Sequence, residues 1–90
     1  MIAVHVITHE AMHLSGRLGD AAAECAAVQR DAETARLLGS PAADATGLAV
    51  SYWRDLYPLM PDGYRSPECR AGGAMDERLA DAPWLAPLPS

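Results

Sequence analysis

The chain has 90 residues, enough for one small domain, and half of them are apolar although none is Phe. It carries a net charge of −5, with seven Arg, no Lys and twelve acidic residues, which argues against a nucleic-acid partner. No apolar run is long enough for a transmembrane segment. The N-terminus lacks the basic region of a signal peptide, so we expect a cytoplasmic protein unless an export signal precedes this chain.

The first predicted helix, residues 2–14, contains the sequence HEAMH and ends at Gly16, a plausible left-handed C-cap. Residues four apart lie on one face of a helix, so His9 and His13 can bind one Zn²⁺ together. Glu10 between them could take a proton from a metal-bound water. The motif therefore predicts the metal site of a zinc peptidase.

A second helix is predicted for residues 21–38, with Asp20 as its N-cap and Gly39 as its stop. Ser40 and Pro41 are typical of the first positions of a third helix, which we expect to end near residue 57, before a proline. We expect the large side chains of this helix to form the hydrophobic core rather than a ligand site: Leu48, Tyr52, Trp53, Leu56 and Tyr57.

The remaining third of the sequence is turn-rich, with a short helix predicted at Met75–Ala80 and a Pro-rich tail at 83–90. Cys69 lies in the turn-rich part and Cys25 in the second helix. A disulfide between them would close a loop of about 45 residues and add roughly 3–4 kcal/mol. Two buried thiols are the alternative, and two cysteines are too few to decide.

A catalytic zinc usually has three protein ligands, and the second helix offers Glu24, Asp31 and Glu33. If the first two helices are antiparallel, Glu24 lies level with the two histidines of the motif, whereas Glu33 lies about 14 Å beyond them at 1.5 Å per residue. Glu24 is therefore the predicted third ligand. His5 would be about 12 Å from His13 along the helix, too far to share one ion, so it could support a ligand from behind or contact the substrate, although we favour an ordinary, partly buried histidine.

HEAMH followed by a glutamate on the next helix resembles the gluzincin class of metallopeptidases. The segments HEAMHLSG, DAAAECAAVQ and YRSPECRAGG resemble a group of small, uncharacterised bacterial HExxH proteins. The resemblance implies a zinc metallopeptidase acting on peptides or proteins, with His9, His13 and Glu24 as ligands and Glu10 as general base. The spacing known in gluzincins would instead select Glu33.

The resemblance also favours the pairing of the two cysteines, and it implies the helical half of a zincin-like fold. In such peptidases a β-sheet precedes the metal helix, so residues 1–82 could be a domain truncated at its N-terminus. The predicted fold is all-α, with three main helices, an irregular loop containing a cysteine, and a short C-terminal helix. Tyr52, Tyr57 and Tyr64 could stabilise an oxyanion, and we favour Tyr64 and Arg65. The alternative function is a non-catalytic helical protein with a structural or vestigial zinc site.

Overall fold

The computed structural model describes residues 2–85, and it is all-α within that range, with no strand. The predicted fold class is therefore confirmed. None of the helices formed by residues 2–85 is both long and apolar enough to cross a lipid bilayer. The four α-helices are α1 (Ile2–Leu14), α2 (Asp20–Val28), α3 (Asp31–Leu37) and α4 (Ala42–Ser51).

Two glycines end helices in the predicted way. Gly16 follows α1 with φ +106°, and Gly39 follows α3 with the same angle. At each glycine the backbone makes the paired hydrogen bonds of a Schellman motif, for example from Gly16 N to the carbonyl of His13 and from Arg17 N to that of Met12. The sharp turn after α1 leads the chain directly into α2.

Two helix starts lie one residue away from their predicted positions. Gly19, not Asp20, is the residue before α2, and Pro41, not Ser40, is the residue before α4. Neither Gly19 nor Pro41 makes a capping hydrogen bond through a side chain. Asp20 is thus the first helical residue, and its carboxylate is used elsewhere.

The predicted helix of residues 21–38 is wrong in one respect: it is broken at Gln29 and Arg30 into α2 and α3. The backbone N–H of Arg30 donates to Ala27, one residue closer than in an α-helix, at 2.9 Å. The carbonyl of Ala26 instead accepts a hydrogen bond from the Arg30 guanidinium at 3.0 Å. The break changes the direction of the chain before Asp31.

The short helix predicted at Met75–Ala80 is also wrong, because residues 76–79 form no regular secondary structure. The buried amide of Gln29 holds this segment: it donates to the carbonyl of Met75 at 3.0 Å and accepts from the backbone N–H of Glu77 at 2.7 Å. Arg78 adopts φ +59°, which an α-helix does not allow. These long-range bonds replace the local bonds of a helix.

After α4 the chain stays helical, first in a wider turn and then in a tighter one. Residues Tyr52–Leu56 form a π-helical turn and Tyr57–Leu59 a 3₁₀ turn. Both Tyr52 and Tyr57 are buried, which confirms their predicted place in the core. The Tyr52 hydroxyl donates to Glu24, so this side chain faces α2.

The core consists mainly of small side chains, and a disulfide bond lies among them. Cys25 and Cys69 form a disulfide with a Cα–Cα distance of 5.7 Å, so the pairing left open by the sequence is present. The bond ties the irregular segment to α2. Buried alanines fill much of the space between the helices: Ala23, Ala26, Ala27, Ala32, Ala35, Ala45 and Ala49.

The start of the predicted Pro-rich tail is ordered against the helices. Pro83–Leu85 form a 3₁₀ turn, and the ring of Trp84 packs edge-on against Trp53 at 5.1 Å. The rest of that predicted segment, 86–90, lies outside the described residues.

Candidate metal centre

The first two helices are antiparallel, and three histidines of α1 face carboxylates of α2 and α3. His5 contacts Glu24 and also Asp31, His9 contacts Glu24, and His13 contacts Asp20. Histidines later in α1 therefore contact carboxylates earlier in the following helices. All three imidazoles at i, i+4 and i+8 lie on the face of α1 that packs against its neighbours.

His5 is the most buried of the three, with 4% of its surface exposed, and the prediction of an ordinary, partly buried histidine is wrong. Its Nδ1 lies 2.6 Å from Asp31 Oδ2 and its Nε2 lies 2.7 Å from Glu24 Oε1. Ionised carboxylates only accept hydrogen bonds, so both nitrogens donate and His5 is an imidazolium. Its ring also stacks on Tyr52, with 3.8 Å between centroids.

The pKa values of this buried group agree with the hydrogen bonding. Burial alone would lower the pKa of His5, but hydrogen bonds to Asp31 and Glu24 outweigh it and raise the pKa to about 9. Burial raises the pKa of Asp31 above its usual value, and the hydrogen bond with His5 offsets only part of that effect. Burial acts on Glu24 in the same direction, but the hydrogen bonds from His5, Tyr52 and His9 outweigh it and lower the pKa of Glu24.

The two histidines of the HEAMH motif face each other through the same ring atom. Their Nε2 atoms are 2.9 Å apart. His9 Nδ1 lies 2.8 Å from Glu24 Oε1, and His13 Nδ1 lies 2.9 Å from the carbonyl oxygen of Arg17. Because both of these partners are acceptors, each Nδ1 carries a proton, and in a neutral ring the Nε2 then presents a lone pair.

Two groups of side chains in the described residues could hold a metal ion. One consists of His5, His9 and Glu24, all buried. The other consists of His9, His13 and Asp20, and it includes both histidines of the motif. His9 belongs to both groups, but it offers Nδ1 to the first and Nε2 to the second.

The predicted site residues are thus brought together in a different way from the one expected. Glu24 is level with His9, yet it faces the nitrogen of His9 that points away from His13. Glu33 is exposed on α3 and belongs to neither of the two groups found in the described chain. Asp20, which the sequence suggested only as an N-cap, lies 3.2 Å from His13 Nε2.

A cavity of about 380 Å³ lies beside the buried group: His5, His9 and Glu24 line it, whereas His13 and Asp20 do not. Glu10 is exposed, and its side chain lines this cavity together with His9. The opposite wall is apolar and comes from the π turn and the segment after it: Leu56, Leu59 and Met60.

Of the residues suggested for oxyanion stabilisation, only Tyr64 lies in the cavity with a hydroxyl that makes no hydrogen bond to another described residue. Its ring lies 5.8 Å from that of His9. The Tyr52 hydroxyl donates to Glu24 at 2.8 Å, and the Tyr57 hydroxyl accepts from the backbone N–H of Ser66. Arg65 pairs with an aspartate of its own turn and lines a different cavity.

Fold and site together define a small, disulfide-bonded all-α protein with a His and carboxylate cluster that could bind a metal ion. The chain matches no protein-family model, and neither a curated protein nor a solved structure shows significant similarity to it.

Proposed function

We propose that this protein is a zinc-dependent metallopeptidase. The observation that carries the proposal is the pair of imidazole nitrogens, His9 Nε2 and His13 Nε2, 2.9 Å apart with a carboxylate beside them. Two imidazoles and a carboxylate are a donor set that suits Zn²⁺. A Zn²⁺ ion bound there would lower the pKa of a water molecule and polarise a peptide carbonyl.

Glu10 is the proposed general base. It is the residue after His9, it is exposed, and it lines a cavity that His9 also lines, so we propose that the attacking water lies in this cavity between His9 and Glu10. Glu10 would take a proton from the attacking water and pass it to the amine that leaves when the peptide bond breaks. Tyr64 in the same cavity could donate a hydrogen bond to the developing oxyanion.

The apolar wall of the cavity supports a peptide substrate with an apolar side chain near the cleaved bond. Leu59 is 80% exposed, and Leu56 and Met60 are half-buried. An apolar side chain placed against them would be removed from water, and each Å² so buried contributes about 25 cal/mol.

A non-catalytic zinc site is the second candidate. The observation that favours it is the core, in which alanines predominate and bury little apolar area each. A metal ion between α1 and the start of α2 would then contribute folding free energy rather than catalysis.

The variant Glu10→Gln separates the two candidates. Fluorescently labelled casein serves as a general protein substrate, and zinc content is measured on the same samples. We expect the wild-type protein to cleave casein, and Glu10→Gln to lose about 10²- to 10⁴-fold in rate while it keeps its zinc. Glu33→Gln, which changes an exposed glutamate outside the site, should retain full activity.

If the zinc-loaded wild type cleaves no casein and removal of zinc lowers the melting temperature, the non-catalytic candidate is correct. If Glu10→Gln cleaves casein as fast as the wild type, Glu10 is not the base.

A further inference from the structure

Three protein donors already bind the carboxylate of Glu24. Its Oε1 accepts from His5 Nε2 at 2.7 Å and from His9 Nδ1 at 2.8 Å, and its Oε2 accepts from the Tyr52 hydroxyl at 2.8 Å. An ionised carboxylate has about four acceptor positions, and three are used here. Glu24 is also 1% exposed, so a metal ligated by it would displace buried hydrogen bonds.

The position of Glu24 also prevents it from sharing an ion with both histidines of the motif. The Nδ1 and Nε2 atoms of an imidazole point in different directions. His9 directs Nδ1 to Glu24 and Nε2 to His13. An ion held by both Nε2 atoms therefore lies on the side of His9 away from Glu24.

Asp20 lies on the correct side. The three atoms His9 Nε2, His13 Nε2 and Asp20 Oδ1 are separated by 2.9, 3.2 and 3.8 Å. Ligands of a tetrahedral zinc with bonds of 2.0–2.1 Å are about 3.3 Å apart, close to the mean of these distances. In the buried group, by contrast, two nitrogens donate to Glu24 Oε1 at 2.7 and 2.8 Å, so neither offers its electron pair to an ion beside that oxygen.

The electron pairs at this second group also favour a cation. In neutral rings both Nε2 atoms present lone pairs, since each Nδ1 is committed to an acceptor. The Asp20 carboxylate adds negative charge beside them. Three electron-pair donors directed at one another repel unless a proton or a metal cation lies between them, and half of the Asp20 side chain is exposed, so a metal ion can reach the group from solvent.

We propose that Asp20 is the third protein ligand of the metal, and that Glu24 is a positioning residue that fixes the ring and tautomer of His9 through its Nδ1–H. A carboxylate behind a ligating histidine is a common arrangement at zinc sites. The His5 imidazolium and the Tyr52 hydroxyl hold this carboxylate in place from the other side. The inference rests on the metal site of the proposed function, but not on catalysis.

The test is the affinity for Zn²⁺, measured by competition with a chromophoric chelator. Asp20→Asn and Glu24→Gln are matched, because each replaces a carboxylate by an amide of the same shape. Loss of a residue that only orients a ligand costs about 10- to 100-fold in metal affinity. We expect Glu24→Gln to stay within that range and Asp20→Asn to exceed it. Asp44→Asn, at an exposed site on α4, should bind Zn²⁺ like the wild type.

Two further measurements keep the test decisive if Glu24→Gln does not fold. Asp20 is exposed, so its variants should fold, and Asp20→His should recover affinity relative to Asp20→Asn because imidazole is itself a zinc ligand. The absorption spectrum of bound Co²⁺ should change in Asp20→Asn and keep its shape in folded Glu24→Gln.

Wild-type affinity in Asp20→Asn, or a larger loss in Glu24→Gln than in Asp20→Asn, would overturn the assignment while leaving the proposed function standing. A wild-type protein that binds no Zn²⁺ contradicts both.

Discussion

His5 makes the stability of the metal-free protein depend on pH between about 6.5 and 9. Its pKa is raised from 6.5 to about 9 in the folded protein, because Asp31 and Glu24 each accept a hydrogen bond from the imidazolium. A raised pKa stabilises the folded state fully below pH 6.5, and this contribution is lost as the pH rises through 9. Each unit of pKa difference corresponds to 1.36 kcal/mol, so the free energy of unfolding should fall by about 3 kcal/mol across this range.

The measurement is urea unfolding between pH 6 and 9.5 with a chelator present, so that metal binding does not contribute. The variant His5→Gln removes the titrating ring, and most of the decrease in free energy with pH should disappear. His13→Gln removes a half-buried histidine outside the buried group and should keep the decrease. A wild-type free energy that stays constant from pH 6.5 to 9, or an unchanged decrease in His5→Gln, would refute the assignment of His5 as a buried imidazolium.

Two other predictions concern the links between the irregular segment and α2. The double variant Cys25→Ala, Cys69→Ala should lose about 4 kcal/mol of unfolding free energy, because the disulfide closes a loop between residues 44 positions apart. Reductant added to the wild type should reproduce this loss in a urea titration, and an unchanged midpoint would contradict it. Gln29→Ala should cost about 2 kcal/mol, since it leaves Met75 O and Glu77 N unpaired. Glu77→Gln, which changes only the partly exposed ion pairs with Arg17 and Arg30, should cost about 1 kcal/mol, and equal effects of the two variants would contradict the role of Gln29.

The parts of the fold that local sequence determines could be predicted. Gly16 and Gly39 each end a helix in a left-handed conformation that other residues avoid, so the ends of α1 and α3 follow from the sequence. The spacing of His9 and His13 placed both rings on one face of α1, as the structure has them. The antiparallel arrangement of α1 and α2 also follows from the short loop between them.

The parts that depend on contacts distant in sequence could not be predicted. The irregular path of residues 76–79 follows from the side-chain amide of Gln29, which bonds to backbone 46 and 48 residues away, and the helix break lies at the same residue. Because the sequence does not indicate the break, it does not predict that Asp31 lies opposite His5. The burial of His5 could not be predicted for the same reason.

Axial position alone makes Glu24 the predicted ligand. That criterion placed Glu24 level with the motif but could not show which nitrogen of His9 it faces. Asp20 follows a glycine and precedes a run of alanines, which is the usual context of an N-cap, and this local explanation concealed its proximity to His13.

The central claim is that HEAMH forms a metal centre, and calorimetric titration of the chelator-treated protein with Zn²⁺ tests it most directly. We expect one Zn²⁺ per chain, with an affinity that falls more than about 100-fold in His13→Gln, because a ligand is lost rather than a residue that orients one. Absence of zinc binding by the folded wild type, or equal affinity in His13→Gln, would contradict the metal centre.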